Sequence, residues 1–113
     1  MMIEIKEVKR IDEGKHHGMI KAVEYRTQPF EYTDLVLEFE DGKLIKYGVP
    51  SSVTMESKLG KLLLEFGAGL EVGQSIDPEQ VFLGKPVTFM TQNKTTPRGT
   101  FPSVVPDSLR LVR

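Results

Sequence analysis

Cysteine is absent from the 113 residues of this sequence. The chain therefore forms no disulfide, thiolate nucleophile or cysteine-ligated zinc or iron–sulfur site. Long hydrophobic runs are also absent, since no uninterrupted apolar stretch exceeds three residues, as at 35–37 and at 62–64. Such runs are far shorter than a bilayer span requires, and the charged N-terminus lacks the apolar segment of a signal peptide. We expect a cytoplasmic protein that does not enter membranes.

The sequence has almost no net charge, because 15 basic and 16 acidic residues leave a formal charge of −1. This balance excludes a polybasic protein that binds nucleic acid through bulk charge alone. The two parts of the chain differ, however: the first 79 residues carry 10 basic and 15 acidic side chains, and the remainder carries 5 and 1. No acidic residue lies between Glu79 and Asp107, so if the chain binds an anion, we expect it in that stretch. Its basic residues are Lys85, Lys94 and Arg98.

The composition that is present, 39% apolar and 27% charged, is typical of one soluble domain with its own core. Residues 1–14 alternate apolar and charged side chains at Ile3 and Ile5 and then become polar, which predicts a short N-terminal strand or an arm. We assign the domain itself to residues 15–113. No repeat or linker divides it.

The first half of the domain has the two-residue period of β-strands. A first strand is predicted over 15–26 and ends before Pro29. A second, over 33–40, shows the clearest alternation in the sequence. Asp41-Gly42 then predicts a type I′ hairpin turn into a third strand over 43–49.

After Pro50 the apolar period changes to that of a helix, with one stripe formed by Met55, Leu59, Leu62, Leu63 and Phe66. The stripe predicts a single helix with Ser51, Ser52 or Thr54 as its N-cap and Gly67 at the left-handed position after its end. Gly60 inside the helix predicts a close approach to a sheet or a barrel end.

Asp77-Pro78 predicts the start of one short helical turn, with Gln80 as a reciprocal cap. A fourth strand follows over 87–92 and a fifth over 100–105, with a polar, basic loop over 93–99 between them. Pro102 and Pro106 predict that the fifth strand lies at a sheet edge or ends early. Residues 109–112 can add a closing strand.

This element order, three strands, a helix and two strands, predicts a mainly β fold: an OB-fold-like five-stranded barrel with one α-helix between strands 3 and 4. The same periods also permit an open antiparallel α+β sandwich with the helix on one face.

Four segments between residues 32 and 112, YTDLVLEFEDGKLIKYGVP, SKLGKLLLEFG, LGKPVTFMTQNK and FPSVVPDSL, resemble small phage and archaeal OB-fold-type proteins associated with single-stranded DNA. The resemblance is one of element order and patterning. It implies nucleic-acid binding as the function.

Single-strand binding combines exposed aromatic rings for stacking with cations that follow the phosphates. Both occur in the two connections that flank the OB-fold groove, at 25–32 and 91–101. We expect the fold to bring these connections onto one concave wall. The predicted binding residues are Tyr25, Arg26, Phe30, Tyr32, Lys46, Tyr47, Lys94, Arg98 and Phe101.

For each aromatic residue alone, packing beneath a loop is the simpler interpretation, and the second connection can equally be a solvated hairpin tip. A protein–protein interaction module of the same fold is therefore the alternative function. We expect a homo-oligomer if the protein covers single strands.

No constellation of catalytic residues is present, so we predict that the protein is not an enzyme and requires no cofactor. His16 and His17 are adjacent in a strand and point to opposite faces, which prevents them from sharing a metal. Asp34, Glu38 and Glu40 can line one strand face, but a solvated sheet face explains them better than a cation site.

Overall fold

The computed structural model describes residue 2 and residues 11–112. Its elements, in chain order, are β1 Gly14–Arg26, β2 Tyr32–Phe39, β3 Leu44–Pro50, α1 Lys58–Glu65, α2 Pro78–Phe82, β4 Pro86–Thr96, β5 Gly99–Val104 and β6 Arg110–Leu111. The predicted N-terminal strand over residues 3–10 lies outside the described residues. No helix in the described part is both long enough and apolar enough to span a bilayer.

The strands form one antiparallel sheet in the order β3-β2-β1-β4-β5, with β6 added beside β4. Strand β1 pairs with β4 over residues 14–19 and with β2 over residues 18–26. The prediction of a mainly β fold is confirmed. Within residues 11–112 no ladder joins β3 to β5, so the sheet is not closed into a barrel and the predicted closure is not confirmed.

Each of the two edge strands, β3 and β5, contains one proline whose ring nitrogen faces the open side of the sheet. The Val105 N–H donates to Met90 O, and hydrogen-bonded positions alternate along an antiparallel strand, so Pro102 faces away from β4. Pro50 likewise faces away from β2, because Ser51 N–H donates to Glu31 O. Each proline removes one donor from its edge. The prediction that the fifth strand lies at an edge is confirmed.

The core lies between the inward face of this sheet and the two helices. Alternation along β2 and β3 places Leu35, Leu37, Ile45 and Val49 on that face, where all are buried. The apolar sides of the helices cover it, with Leu59, Leu62, Leu63, Phe66 and Phe82 buried against the sheet.

Two helices, not one, separate β3 from β4. The Asp77 side chain caps α2 by accepting from the Glu79 N–H, with Pro78 in its first turn. The helical turn predicted at this point of the sequence is therefore confirmed, and the prediction of a single helix between the strands is wrong.

The β2–β3 connection is a hairpin, but its turn is not type I′. Gly42 has a positive φ of 87° whereas Asp41 does not, and the Gly42 N–H donates to Phe39 O. This is a three-residue loop that ends in a left-handed glycine. The Asp41 side chain accepts from the Lys43 N–H, which stabilises the right-handed conformation of Asp41 without a second positive φ.

Helix α1 starts later than the apolar stripe predicts. Its N-cap is Ser57, whose hydroxyl oxygen accepts from the Gly60 N–H, instead of one of the three candidates upstream. Its C-terminal end is as predicted: Gly67 has a φ of 88°, and the Ala68 N–H donates to Leu63 O. The close approach at Gly60 is real, but its partner is the Thr54 carbonyl in the preceding loop and not the sheet.

Gly60→Ala tests the close contact between Gly60 and the Thr54 carbonyl. Alanine favours a helix interior by about 1 kcal/mol over glycine, but a Cβ at this position would overlap the backbone oxygen of Thr54. Overpacking against a backbone atom costs about 1–3 kcal/mol or more, so we expect a net loss of roughly 2 kcal/mol in urea unfolding. The control Gly69→Ala, where a Cβ meets no atom within 4 Å, should change stability by less than about 0.5 kcal/mol. Equal stabilities of the two variants would contradict this packing.

Candidate functional site

The outer face of β1, β2 and β3 carries an ion pair with well-defined geometry. Arg26 donates from Nε to Asp34 Oδ2 at 2.5 Å and from Nη2 to Asp34 Oδ1 at 2.9 Å. The guanidinium also lies over the Tyr32 ring, 4.9 Å from its centroid. Arg26 and Tyr32 are cross-strand partners and Asp34 lies two residues further on the same face, so the strand register itself assembles this group.

Asp34 is only 4% exposed, and its hydrogen bond is the main cause that raises the pKa of Arg26 above its ordinary value. Gly48 on β3 lies directly opposite Asp34. A Cβ there would be 2.5 Å from Asp34 Oδ1 and 3.0 Å from Arg26 Nη2. The glycine therefore provides the space that the bidentate pair occupies.

The other cations on this face are also paired. Lys46 Nζ lies 3.0 Å from Glu24 Oε2, and Lys21 Nζ lies 3.2 Å from Glu38 Oε2. Together with the Arg26 pair, three cations face three carboxylates, so the groups in these pairs carry no net charge. Exposed pairs are worth about 0–1 kcal/mol, which lets Lys46 exchange Glu24 for another anion. Arg26 is held more firmly because its partner is buried.

The aromatic residues predicted at the β1–β2 connection have different surroundings. Phe30 is 70% exposed, and Tyr32 is half-buried beneath Arg26. Tyr25 lies on the same face of β1 as Val23, opposite to Arg26. Partial burial is the main cause that raises the pKa of Tyr25, followed by the charge of Asp77 at the start of α2.

Tyr47 is placed differently from the prediction. The register of β3 turns Ile45, Tyr47 and Val49 inward, and Tyr47 is 8% exposed. Its hydroxyl oxygen accepts from the Asp107 N–H at 3.5 Å. The assignment of Tyr47 to a binding surface is therefore corrected: the residue belongs to the core.

The second predicted connection is not a loop but a two-stranded ribbon, which we call the arm (residues 93–102). Strands β4 and β5 pair as far as Thr96 and Gly99, so only Pro97 and Arg98 form the turn. The Thr95 and Thr100 hydroxyls hydrogen-bond across the ribbon at 3.2 Å. Threonine favours extended backbone, which is why residues with a turn-like composition continue both strands.

Every residue of the arm is exposed. Lys94 lies directly opposite Phe101 in the ladder, and Phe101 is 52% exposed. Among residues 11–112 no carboxylate pairs with Lys94 or with Arg98. The arm thus presents an aromatic ring and two available cations in a stretch of sequence without an acid, and the Glu13 carboxylate accepts from the Asn93 N–H at its base.

The two predicted clusters lie at opposite ends of β1. Arg26 pairs with Tyr32 at one end, and Gly14 pairs with Thr91 at the other, where the arm begins. Twelve residue steps separate these ends, about 40 Å along the strand, in a molecule 60 Å long. The register does not support the predicted common wall, and a ligand touching both clusters must extend along the sheet.

The sequence analysis did not identify Asp34 or Gly48 as parts of this site. The pair could have been found from the short spacing of Arg26 and Asp34 on either side of a strand connection, which brings them together across the hairpin. His16 makes specific contacts at the β1–β4 pairing. Its Nε2 lies 3.0 Å from Thr91 Oγ1, and its ring packs edge-on against Phe39. The described residues contain no cluster of three or more side chains able to hold a metal ion.

Comparison with known proteins gives no match: no family model fits the chain, and no curated protein is significantly similar to it.

Asp77→Asn tests the position of Tyr25. A neighbouring carboxylate disfavours the phenolate, so removing its charge should lower the raised pKa of Tyr25 towards the ordinary value. Asparagine also caps helices, so α2 is retained. The measurement is a pH titration of the tyrosine Cζ signals by NMR, with Asp41→Asn as a control that leaves the Tyr25 pKa unchanged. An unaltered Tyr25 pKa in Asp77→Asn would place the ring elsewhere.

Proposed function

We propose that the protein binds single-stranded nucleic acid, without catalysis and without reading sequence, and that the arm is its main contact. The observation that carries this proposal is the arm itself. It combines a half-exposed Phe101 with Lys94 and Arg98, has no acidic residue, and is exposed along its whole length. Rings beside cations are the combination that single-strand binding requires.

The fold supports the proposal through its strand order. An OB-fold is a partly open five-stranded barrel that binds oligonucleotides with its β2–β3 face and two loops. The order β3-β2-β1-β4-β5, with helices between β3 and β4, makes β3 and β5 the strands whose meeting would complete such a barrel. The Tyr47–Asp107 hydrogen bond brings β3 close to the segment that follows β5. We therefore propose an OB-like barrel open at this seam.

The β1–β2 end supplies the second contact. Phe30 offers a free ring, and the guanidinium of Arg26 stacked on Tyr32 offers a flat surface to a base. Lys46 reaches a phosphate by exchanging Glu24. Because the face is charge-neutral, we expect most of the salt dependence to come from the arm. We then expect a moderate affinity for single strands, with no cofactor required.

A second candidate function, a protein–protein interaction module, is favoured by one observation. The three ion pairs that neutralise the outer face are suited to a protein partner rather than to a polyanion. The two functions differ in their response to salt: phosphate contacts give a steep and uniform loss of affinity with ionic strength.

Lys94→Glu combined with Arg98→Glu tests the main contact. Fluorescence anisotropy with a labelled oligothymidine should show binding by the wild type at about 50 mM salt that weakens by about 0.7 log units per phosphate contact for each tenfold rise in salt. The double variant should lose this binding. The matched control is Lys58→Glu with Lys61→Glu on α1, which makes the same change in charge at two exposed positions and should retain binding. Binding by the arm variant, or none by the wild type, would overturn the proposal.

Phe101→Ala tests stacking separately from charge. Removing one stacked ring costs about 1–3 kcal/mol of binding free energy, so the dissociation constant should rise about five- to a hundredfold, with an unchanged salt slope. Tyr47→Phe, which alters a buried ring, should not change oligothymidine affinity. An equal affinity of Phe101→Ala and wild type would remove Phe101 from the interface.

A further inference from the structure

A cleft of about 400 Å³ lies between the loop that precedes α1 and the segment that joins α1 to α2. Val72 is fully exposed there, and Met55 is 59% exposed. Exposed apolar side chains that line a concave surface are typical of an interaction site. The apolar residues that line it are Val53, Met55, Leu70, Val72 and Ile76.

The sequence around the residues that line the cleft is acidic. The segments 53–56 and 70–79 contain four acidic residues and no basic one. Glu71 lines the cleft itself. The others are Glu56, Asp77 and Glu79. A ligand for this cleft should therefore combine an apolar group with positive charge.

The arm of the same protein has this complementary chemistry. Residues 93–102 contain two basic residues and no acidic one, and Phe101, which lies opposite Lys94 in the ladder, is half-exposed. A two-stranded ribbon that is solvated on both faces is only marginally stable by itself. Contact with a second surface would therefore stabilise it.

The arm and the cleft of one chain lie at opposite ends of β1. The cleft lies at the Arg26 end of β1, because Asp77 beside it faces Tyr25 and the loop that enters it follows Pro50, which pairs with Tyr32. The arm extends beyond Gly14 at the other end. Between them runs the whole of β1, about 40 Å along the path of the strand.

We propose that the arm of one copy docks in the cleft of a second copy, with Phe101 in the cleft and Arg98 facing Glu71. Donor and acceptor surfaces lie at opposite ends, so the contact is heterologous and propagates head to tail into a ring or a chain. One ribbon in one cleft makes a small interface, which implies reversible, concentration-dependent association. The contact does not require nucleic acid, although an oligonucleotide bound to the arm would compete with it.

Sedimentation velocity without nucleic acid tests this contact through variants that reverse the charge of Glu71, of Arg98 or of both. The wild type should have an average mass above the 12.7 kDa of one chain that rises with concentration. Glu71→Lys and Arg98→Glu should each weaken association at least about tenfold, because each places like charges together. The double variant Glu71→Lys with Arg98→Glu should recover it. Glu40→Lys, in the exposed turn after β2, makes the same charge change away from the cleft and should associate normally.

A wild type that stays monomeric at all concentrations would overturn the contact, as would a double variant no better than the single ones. Circular dichroism identifies any variant that has simply unfolded, and in that case Glu71→Gln replaces Glu71→Lys with a smaller expected loss. Oligothymidine binding separates the two proposals: Glu71→Lys should bind at least as well as the wild type even though its self-association is lost. If Glu71→Lys loses both self-association and oligothymidine binding, the cleft is not a separate docking surface.

Discussion

Strand β1 is shared between two partners, and the rest of the molecule depends on this sharing. Its first half pairs with β4 and its second half with β2, with Gly18 in both ladders. A Cβ on Gly18 would overlap the Glu38 carbonyl, so glycine permits the double contact. A register irregularity between Ile20 and Ala22 follows, and there the Ile20 N–H donates to Lys85 O. Bulges of this kind bend a strand, and this one carries β1 from one partner to the other.

This arrangement also distributes the functional groups. The β1–β2 end collects paired charges: Arg26 with the buried Asp34, and Lys46 with Glu24. The β4–β5 end extends past its neighbour as an exposed ribbon whose cations have no carboxylate partner within the described chain. Charges that are satisfied internally give shape and stability, whereas unpaired charges are available to a ligand. We therefore assign most of the proposed binding to the β4–β5 end. It carries fewer charges than the β1–β2 end, but its cations are unpaired.

Local chemistry was predictable from the sequence wherever one residue decides the outcome. The left-handed Gly67 and the Asp77 cap are as predicted, whereas the alternation of β2 is weaker than predicted, because Asp34 and Val36 on its outer face are also buried. Features that depend on tertiary register were not. Tyr47 was predicted on the same surface as its neighbour Lys46, although alternation along β3 puts it on the face of Ile45 and Val49, and pairing with Leu35 turns that face inward. The N-cap at Ser57 depends on the fold of the preceding loop against Gly60. The arm has turn-like residues, yet cross-strand threonines extend the ladder through them, and that extension places the two predicted clusters apart.

The central claim is that free cations and a free ring on the arm contact a single strand. Amide chemical-shift mapping with unlabelled oligothymidine tests it most directly, because it locates the contact residue by residue without altering the protein. The account predicts shifts that are largest for Lys94, Arg98 and Phe101, smaller for Phe30, and absent for α1. Shifts confined to the helices, or no shifts at low salt, would contradict it.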